Sequence, residues 1–246
     1  MSDAQGRYIE FCKSSFTDLD LNGLSILLDC ANGATYSVAP KVFSELGANV
    51  ETIGASPDGI NINQNCGSTS PNALKEAIIK GSYDIGIAFD GDGDRILIVT
   101  SDGDILDGDD ILYILSKEIP ANSGVVGTLM TNKALELYFQ NEGIEFSRAD
   151  VGDKYVLQRL IERSWVLGGE PSGHIICLDS APTGDAIVAA LKFLNATKDK
   201  GFSVEKSLEG FKKFPQTLIN LKVNNPNKII ISYKFWEKVT EIELQL

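Results

Sequence analysis

Short β-branched runs alternate with longer amphipathic segments along most of the chain, and this alternation restricts the fold more than any other feature. "LSILLDC" reads as a buried strand, "ANGAT" as a turn and "YSVAPKVFSELGA" as a helix closed by Gly47. "NVETIG" is the second strand. A helix follows in "GSTSPNALKEAIIKG", with Ser70 as N-cap, Pro71 at the first helical position and Gly81 past the end. "YDIGIAF" and "RILIVT" are two further strands, and "SDGD" makes a hairpin-like turn. A helix around Asp109–Glu118 leads into a second round: "GVVGTLM", "NKALELYFQNEG", "IEFSRA", "DKYVLQRLIER", "WVLGGE" and "HIICLD", then a long helix in "GDAIVAALKFLNATKD". Two stretches thus share a β-α-β-α-β-β order. The order predicts two tandem α/β domains with mixed, mostly parallel sheets, spanning 1–105 and 106–213 and joined near Asp104–Asp107. Residues 214–246 fit neither. "TLINLKV" reads as a strand and "ISYKFWEKVTEIELQL" as a helix, a pair too small to bury a core, so it reads as a truncated piece of a further α+β domain.

The chemistry is concentrated in a few loops. "FDGDGDR" puts Asp90, Asp92 and Asp94 within five residues at the end of a strand, where open α/β sheets place their ligands. Like charges this close repel, so they are either held by a cation or left in water as an acidic turn. The intervening glycines let alternate carboxylates converge, and hard oxygen donors suit Mg²⁺. An EF-hand is disfavoured, because its sixth position would be Arg95 and its twelfth Ser101. Arg95 can pair with the acids or hold a phosphate beside a metal. "GGEPSGH" contains the one histidine of the chain, His174, with Glu170 and Ser172; the group suits sugar hydroxyls, or forms a solvated β-turn. In "VGDKYV", Asp153 is read as a helix N-cap and Lys154 as a solvated lysine or an anion ligand. "PTGDA", Thr183 to Asp185, repeats that theme. Asp107, Asp109 and Asp110 read as a helix cap, not as a second metal site.

A net charge of −12 disfavours nucleic acid and anionic membranes as partners. No apolar run approaches the ~20 residues that span a bilayer, and no signal peptide is evident. Four scattered cysteines without a C-x-x-C pair read as reduced thiols of a cytoplasmic protein, and a single histidine argues against structural zinc. There is no Walker A loop and no G-x-G-x-x-G, which weakens kinase and dinucleotide readings.

"FDGDGDR", "GGEPSGH", "VGDKYV" and "LLDCANGATYSVAPKVFSELGANV" together resemble the α-D-phosphohexomutase superfamily. "PDGININ", "VGDKYV" and "TGD" make the chain most similar to its bacterial phosphoglucosamine mutase branch. The resemblance implies an isomerase that interconverts glucosamine 6-phosphate and glucosamine 1-phosphate through a phosphoserine and a bisphosphate intermediate. It further implies Mg²⁺ on Asp90, Asp92 and Asp94, with Arg95 near the transferring phosphoryl group. Glu170 and Ser172 would contact sugar hydroxyls. His174, and Lys154 beside it, would line the site and assist proton transfer. The family's S-H-N-P serine loop and late Ser-Gly-Thr phosphate clamp are absent from this sequence. The chain therefore reads as domains two and three plus the start of a phosphate-binding fourth, inactive on its own. Phosphomannomutase or phosphoglucomutase specificity, an aspartate-nucleophile phosphatase built on Asp90 and Asp92, and a non-catalytic metal or sugar-phosphate binder are the competing readings.

Overall fold

A computed structural model describes residues 3–217, 222–224 and 232–243. The strands form where β-branched runs were expected. The first sheet is built from β1 (Ser25–Asp29), β2 (Asn49–Ile53), β3 (Ile85–Phe89), β4 (Ile96–Thr100) and β5 (Ile105–Leu106), in the order β2-β1-β3-β4-β5. The second comprises β6 (Val125–Thr128), β7 (Phe146–Ala149), β8 (Leu167–Gly169) and β9 (Ile175–Cys177), ordered β7-β6-β8-β9. In both, the first strand pairs in parallel with the second and third, and the fourth returns antiparallel on the third. The two sheets thus share one topology over their first four strands, and in each the third and fourth strands are joined by one of the two loops singled out for chemistry.

Helices α2 (Ala39–Glu45) and α3 (Asn72–Lys80) connect the first strands, and α5 (Lys133–Asn141) and α6 (Asp153–Arg163) connect their counterparts. Helices α4 (Gly108–Leu115) and α7 (Ala186–Thr197) are apolar nearly all round, the signature of a helix with no solvent face. Accordingly α4 touches β5 and β8, α7 touches β4 and β9, and the two touch each other, so that both sheets share one core. The N-terminal α1 (Ala4–Ser14) has no strong apolar period and is not evident from the sequence. It buries Ile9 and Cys12, and its Tyr8 hydroxyl donates to Asp185 at the start of α7. A short α8 (Val204–Ser207) follows. The four cysteines are free and buried.

Several local expectations need correction. The segment read as one helix over "YSVAPKVFSELGA" is a 3₁₀ turn, Ala34–Ser37, followed by α2, with Pro40 in the first turn of α2. Ser70 does not cap α3: Pro71 is already helical at the cap position, and its carbonyl accepts from Lys75. Asp153 is the first residue of α6 and not its cap. Gly152 holds that place at φ 130°, a conformation that favours glycine, and its carbonyl accepts from Tyr155 and Val156.

The acidic cluster before α4 forms a capping box. Asp107 accepts from the backbone N–H groups of Asp109 and Asp110, and Asp110 accepts from that of Asp107. Lys213 bridges Asp107 and Asp110 at 2.7 and 2.6 Å. Asp109 points inward, 2% exposed, with one oxygen accepting from Asn132 N–H and the other unpartnered. Burial, reinforced by Asp107, raises its carboxyl to about 6 against an ordinary 3.8. A raised folded-state value favours the protonated form in the native state. The resulting stabilisation is complete below about pH 3.8 and is lost as pH rises through about 6. Asp109→Asn should therefore stabilise the chain at pH 8, by on the order of 3 kcal/mol at about 1.4 kcal/mol per unit, and make no difference at pH 4. Urea unfolding at the two pH values checks this.

Residues 215–246 form a separate unit. Its α9 (Tyr233–Glu243) carries a Lys238–Glu241 ion pair and an edge-to-face Phe235–Trp236 contact. The strand expected in "TLINLKV" falls largely outside the described residues. Among the described residues, no helix is long and apolar enough to cross a membrane.

Candidate cation and sugar-phosphate site

All five residues of β3 are buried, and the strand delivers Asp90 to the sheet edge. Asp90 is fully buried and holds the loop closed. Its Oδ1 accepts from the backbone N–H groups of Gly93, Asp94 and Arg95 at 3.1–3.2 Å, and its Oδ2 accepts from Arg95 Nε at 2.6 Å. Burial alone would raise its pKa, but the backbone donors and the guanidinium outweigh it and hold the carboxyl below the usual range. Gly93 turns the chain at φ 80°. Asp94 behaves oppositely: burial and the neighbouring Asp90 charge push its carboxyl up. Its Oδ2 lies 3.2 Å from His174 Nδ1, and its Oδ1 is buried with no hydrogen-bond partner. Asp92 is exposed. One carboxylate oxygen from each of the three aspartates lies within 4.8 Å of the others. Converging hard oxygen donors with an orphaned buried oxygen among them fit a divalent cation.

The second loop joins β8 to β9. Glu170 N–H donates to the His174 carbonyl and Gly173 N–H to the Glu170 carbonyl, a tight turn that leaves Ser172 exposed. Glu170 Oε1 accepts from Gly152 N–H at 2.9 Å, which brings the start of α6 next to this loop. Lys154 is exposed one turn away, its ammonium 4.6 Å from the Tyr155 ring centroid.

The two loops meet. Arg95 and His174 form an isolated antiparallel bridge, Ile96 N–H donates to the Gly173 carbonyl at 3.0 Å, and Gly108 N–H donates to the Pro171 carbonyl at 3.1 Å. The "TGD" turn closes the junction. Ala186 N–H donates to the Gly93 carbonyl, and Gly184 lies so close to His174 Nε2 that a side chain there would collide with it. His174 is 6% exposed, packed between Asp94 and Gly184.

Gly91 of the first loop touches two elements that sequence reasoning did not attach to the site. The Gly91 carbonyl accepts from Ala34 N–H, and a Cβ on Gly91 would come within 2.6 Å of Ile62 Cδ1 and 2.8 Å of Asn63 Nδ2. The segment containing "PDGININ" therefore lies directly over the tri-aspartate loop. Its run of Asn and Gly, with Asn63 and Asn65 at positive φ, is the signal that marks a shaped loop.

Comparisons with known proteins agree with this architecture. Residues 6–103 match phosphoglucomutase/phosphomannomutase alpha/beta/alpha domain II, and residues 107–214 match alpha/beta/alpha domain III of the same family. Phosphoglucosamine mutase from Psychrobacter cryohalolentis is 54% identical over 226 residues, covering 91% of this chain and 50% of the relative. Its counterpart from Pseudomonas entomophila is 54% identical over 227 residues, covering 90% and 51%. A phosphoglucomutase/phosphomannomutase family protein from Burkholderia thailandensis superposes with a TM-score of 0.67 at 26% identity, covering 82% of this chain and 47% of that one. The N-acetylphosphoglucosamine mutase of Aspergillus fumigatus, solved with GlcNAc-6P and magnesium, shares the fold at a TM-score of 0.70 and 19% identity, covering 89% and 56%. The chain spans about half the length of the curated relatives it matches.

Proposed function

The chain belongs to the phosphoglucomutase/phosphomannomutase family, of which it carries domains II and III, and on that premise we propose that it supplies the cation-binding and sugar-binding parts of a cytoplasmic phosphosugar mutase acting on glucosamine 6-phosphate and glucosamine 1-phosphate. The observation that carries the reading is the junction of the two loops: Ile96 N–H on the Gly173 carbonyl puts three converging carboxylates beside Glu170 and Ser172. The same reading divides the chain into domains at 1–105 and 106–213, with residues 214–246 opening a phosphate-binding domain.

Asp90, Asp92 and Asp94 would hold Mg²⁺, which supplies positive charge to neutralise a phosphoryl group in an otherwise acidic cleft. Arg95, 38% exposed, spends Nε on Asp90 and keeps its terminal nitrogens for phosphoryl oxygens. Glu170 has one oxygen fixed by Gly152 N–H and one left for a sugar hydroxyl, with Ser172 exposed beside it. Lys154, on the first turn of α6, adds positive charge near that loop. His174 is assigned to positioning Asp94 and not to proton transfer, because it is buried against that carboxylate.

No S-H-N-P serine loop is present in the sequence, so the 246-residue chain should bind the sugar phosphate without turning it over. Titration calorimetry should show Mg²⁺-dependent binding of glucosamine 6-phosphate that exceeds binding of glucose or mannose 6-phosphate and weakens about tenfold in Glu170→Gln, the cost of one charged hydrogen bond. Phosphorus NMR with catalytic bisphosphate should show no isomerisation. Undiminished binding by Glu170→Gln would overturn the sugar assignment, and turnover by the chain alone would overturn the missing-serine argument.

A further inference from the structure

The segment over the tri-aspartate loop brings polar atoms that the loop itself does not satisfy. Asn63 sits at φ 57°, fixed by its N–H on the Ala31 carbonyl at 2.8 Å, with its amide against Gly91. Ser68 N–H donates to the carbonyl of Phe89, the residue before Asp90, at 2.8 Å. Asn63 Oδ1 and Ser68 Oγ are both buried, and neither has a hydrogen-bond partner in the protein. Thr35 Oγ1, whose methyl group lies against Gly93, is likewise buried without a hydrogen-bond partner.

Buried polar oxygens are rarely left unmatched, and those of Asn63 and Ser68 belong to residues that touch Gly91 and Phe89, the two chain neighbours of Asp90. A hard divalent cation supplies donors for such oxygens. Mg²⁺ demands six ligands and dehydrates reluctantly, so three carboxylates leave it with coordinated water. Polarised by the metal, that water acts as a hydrogen-bond donor and needs acceptors around it. We propose that Asn63 and Ser68 are positioning residues for the cation, their side-chain oxygens accepting hydrogen bonds from water in its coordination sphere. The inference rests on the reading of Asp90, Asp92 and Asp94 as cation ligands.

Outer partners of this kind change metal affinity by about 10–100-fold. Titrating the full 246-residue chain with Mn²⁺, followed by the resonance of the free ion, reads that affinity without any reaction. Ser68→Ala should bind Mn²⁺ about tenfold more weakly, and so should Asn63→Gly, which removes the acceptor while tolerating the positive φ. Asn63→Asp keeps an acceptor and should retain wild-type affinity. Ile60→Ser, changing a residue 90% exposed in the same segment, should also bind as wild type does. Without metal, Ser68→Ala should melt no lower than the wild type, since it deletes an unpaired buried group. Equal Mn²⁺ affinity in wild type, Ser68→Ala and Asn63→Gly would overturn the proposal, as would a lower metal-free melting temperature for Ser68→Ala, the mark of a structural hydrogen bond. Absence of Mn²⁺ binding by the wild type would instead overturn the cation reading beneath it.

Discussion

Asp90→Ala should abolish divalent-cation binding and lower the unfolding free energy by about 3 kcal/mol, whereas Asp92→Ala should abolish binding at almost no cost in stability. The two acids are two residues apart and share a loop, but they do different physical work. Asp90 is fully buried, and its carboxylate is the acceptor for three backbone N–H groups and for Arg95 Nε. Deleting it leaves those donors without a partner and the guanidinium without its counter-charge. Arg95 is 38% exposed and can turn to water, which keeps the cost at the low end of that for breaking a buried pair. Asp92 is exposed and has like-charged neighbours on both sides. Its removal relieves repulsion, so the metal-free protein should be unchanged or slightly firmer. Urea unfolding in EDTA, paired with Mn²⁺ titration, separates the two effects. Retained affinity in Asp92→Ala would remove that residue from the ligand set; equal stability losses would show that Asp90 has no special structural role.

The repeated strand–helix order was legible because most runs are long enough to show their period and several end on a Gly signal, as at Gly47, Gly81 and Gly143. Once β1 and β6 start parallel α/β units, the shared topology of the two sheets follows from short connections and right-handed crossovers. Asp90, Asp92 and Asp94 were legible as a set because they are neighbours in sequence. What local pattern could not show is what tertiary packing decides. Arg95 and His174 lie far apart in the chain, and nothing near either one announces the bridge between them. His174 is polar between two strands; that Gly184 and the turn before α7 pack onto it and hold it against Asp94 is not written in its neighbourhood. At Gly152 and Pro71 the caps moved because a backbone preference outranked the side-chain capping preference of Asp153 and Ser70.

The same junction supplies the second large effect. Gly173 is at φ 92°, and a Cβ there would fall inside the van der Waals envelope of the Ile96 carbonyl oxygen, while its own carbonyl accepts from Ile96 N–H. Gly173→Ala should cost about 3 kcal/mol or more: left-handed strain contributes about 1–2 kcal/mol, and the rest comes from prising the backbones apart with loss of their hydrogen bond. Gly143 is the control. It is also left-handed, at φ 70°, with open space where a Cβ would go, so Gly143→Ala should show the strain alone. The difference between the two variants in urea unfolding isolates the contact between the loops. Because the tri-aspartate loop and the Glu170 loop are held together there, Gly173→Ala should weaken Mn²⁺ and glucosamine 6-phosphate binding together. If Gly173→Ala costs no more than Gly143→Ala and leaves both affinities unchanged, the loops are neighbours without being coupled. Cation and sugar phosphate would then bind as two independent sites that happen to share an edge.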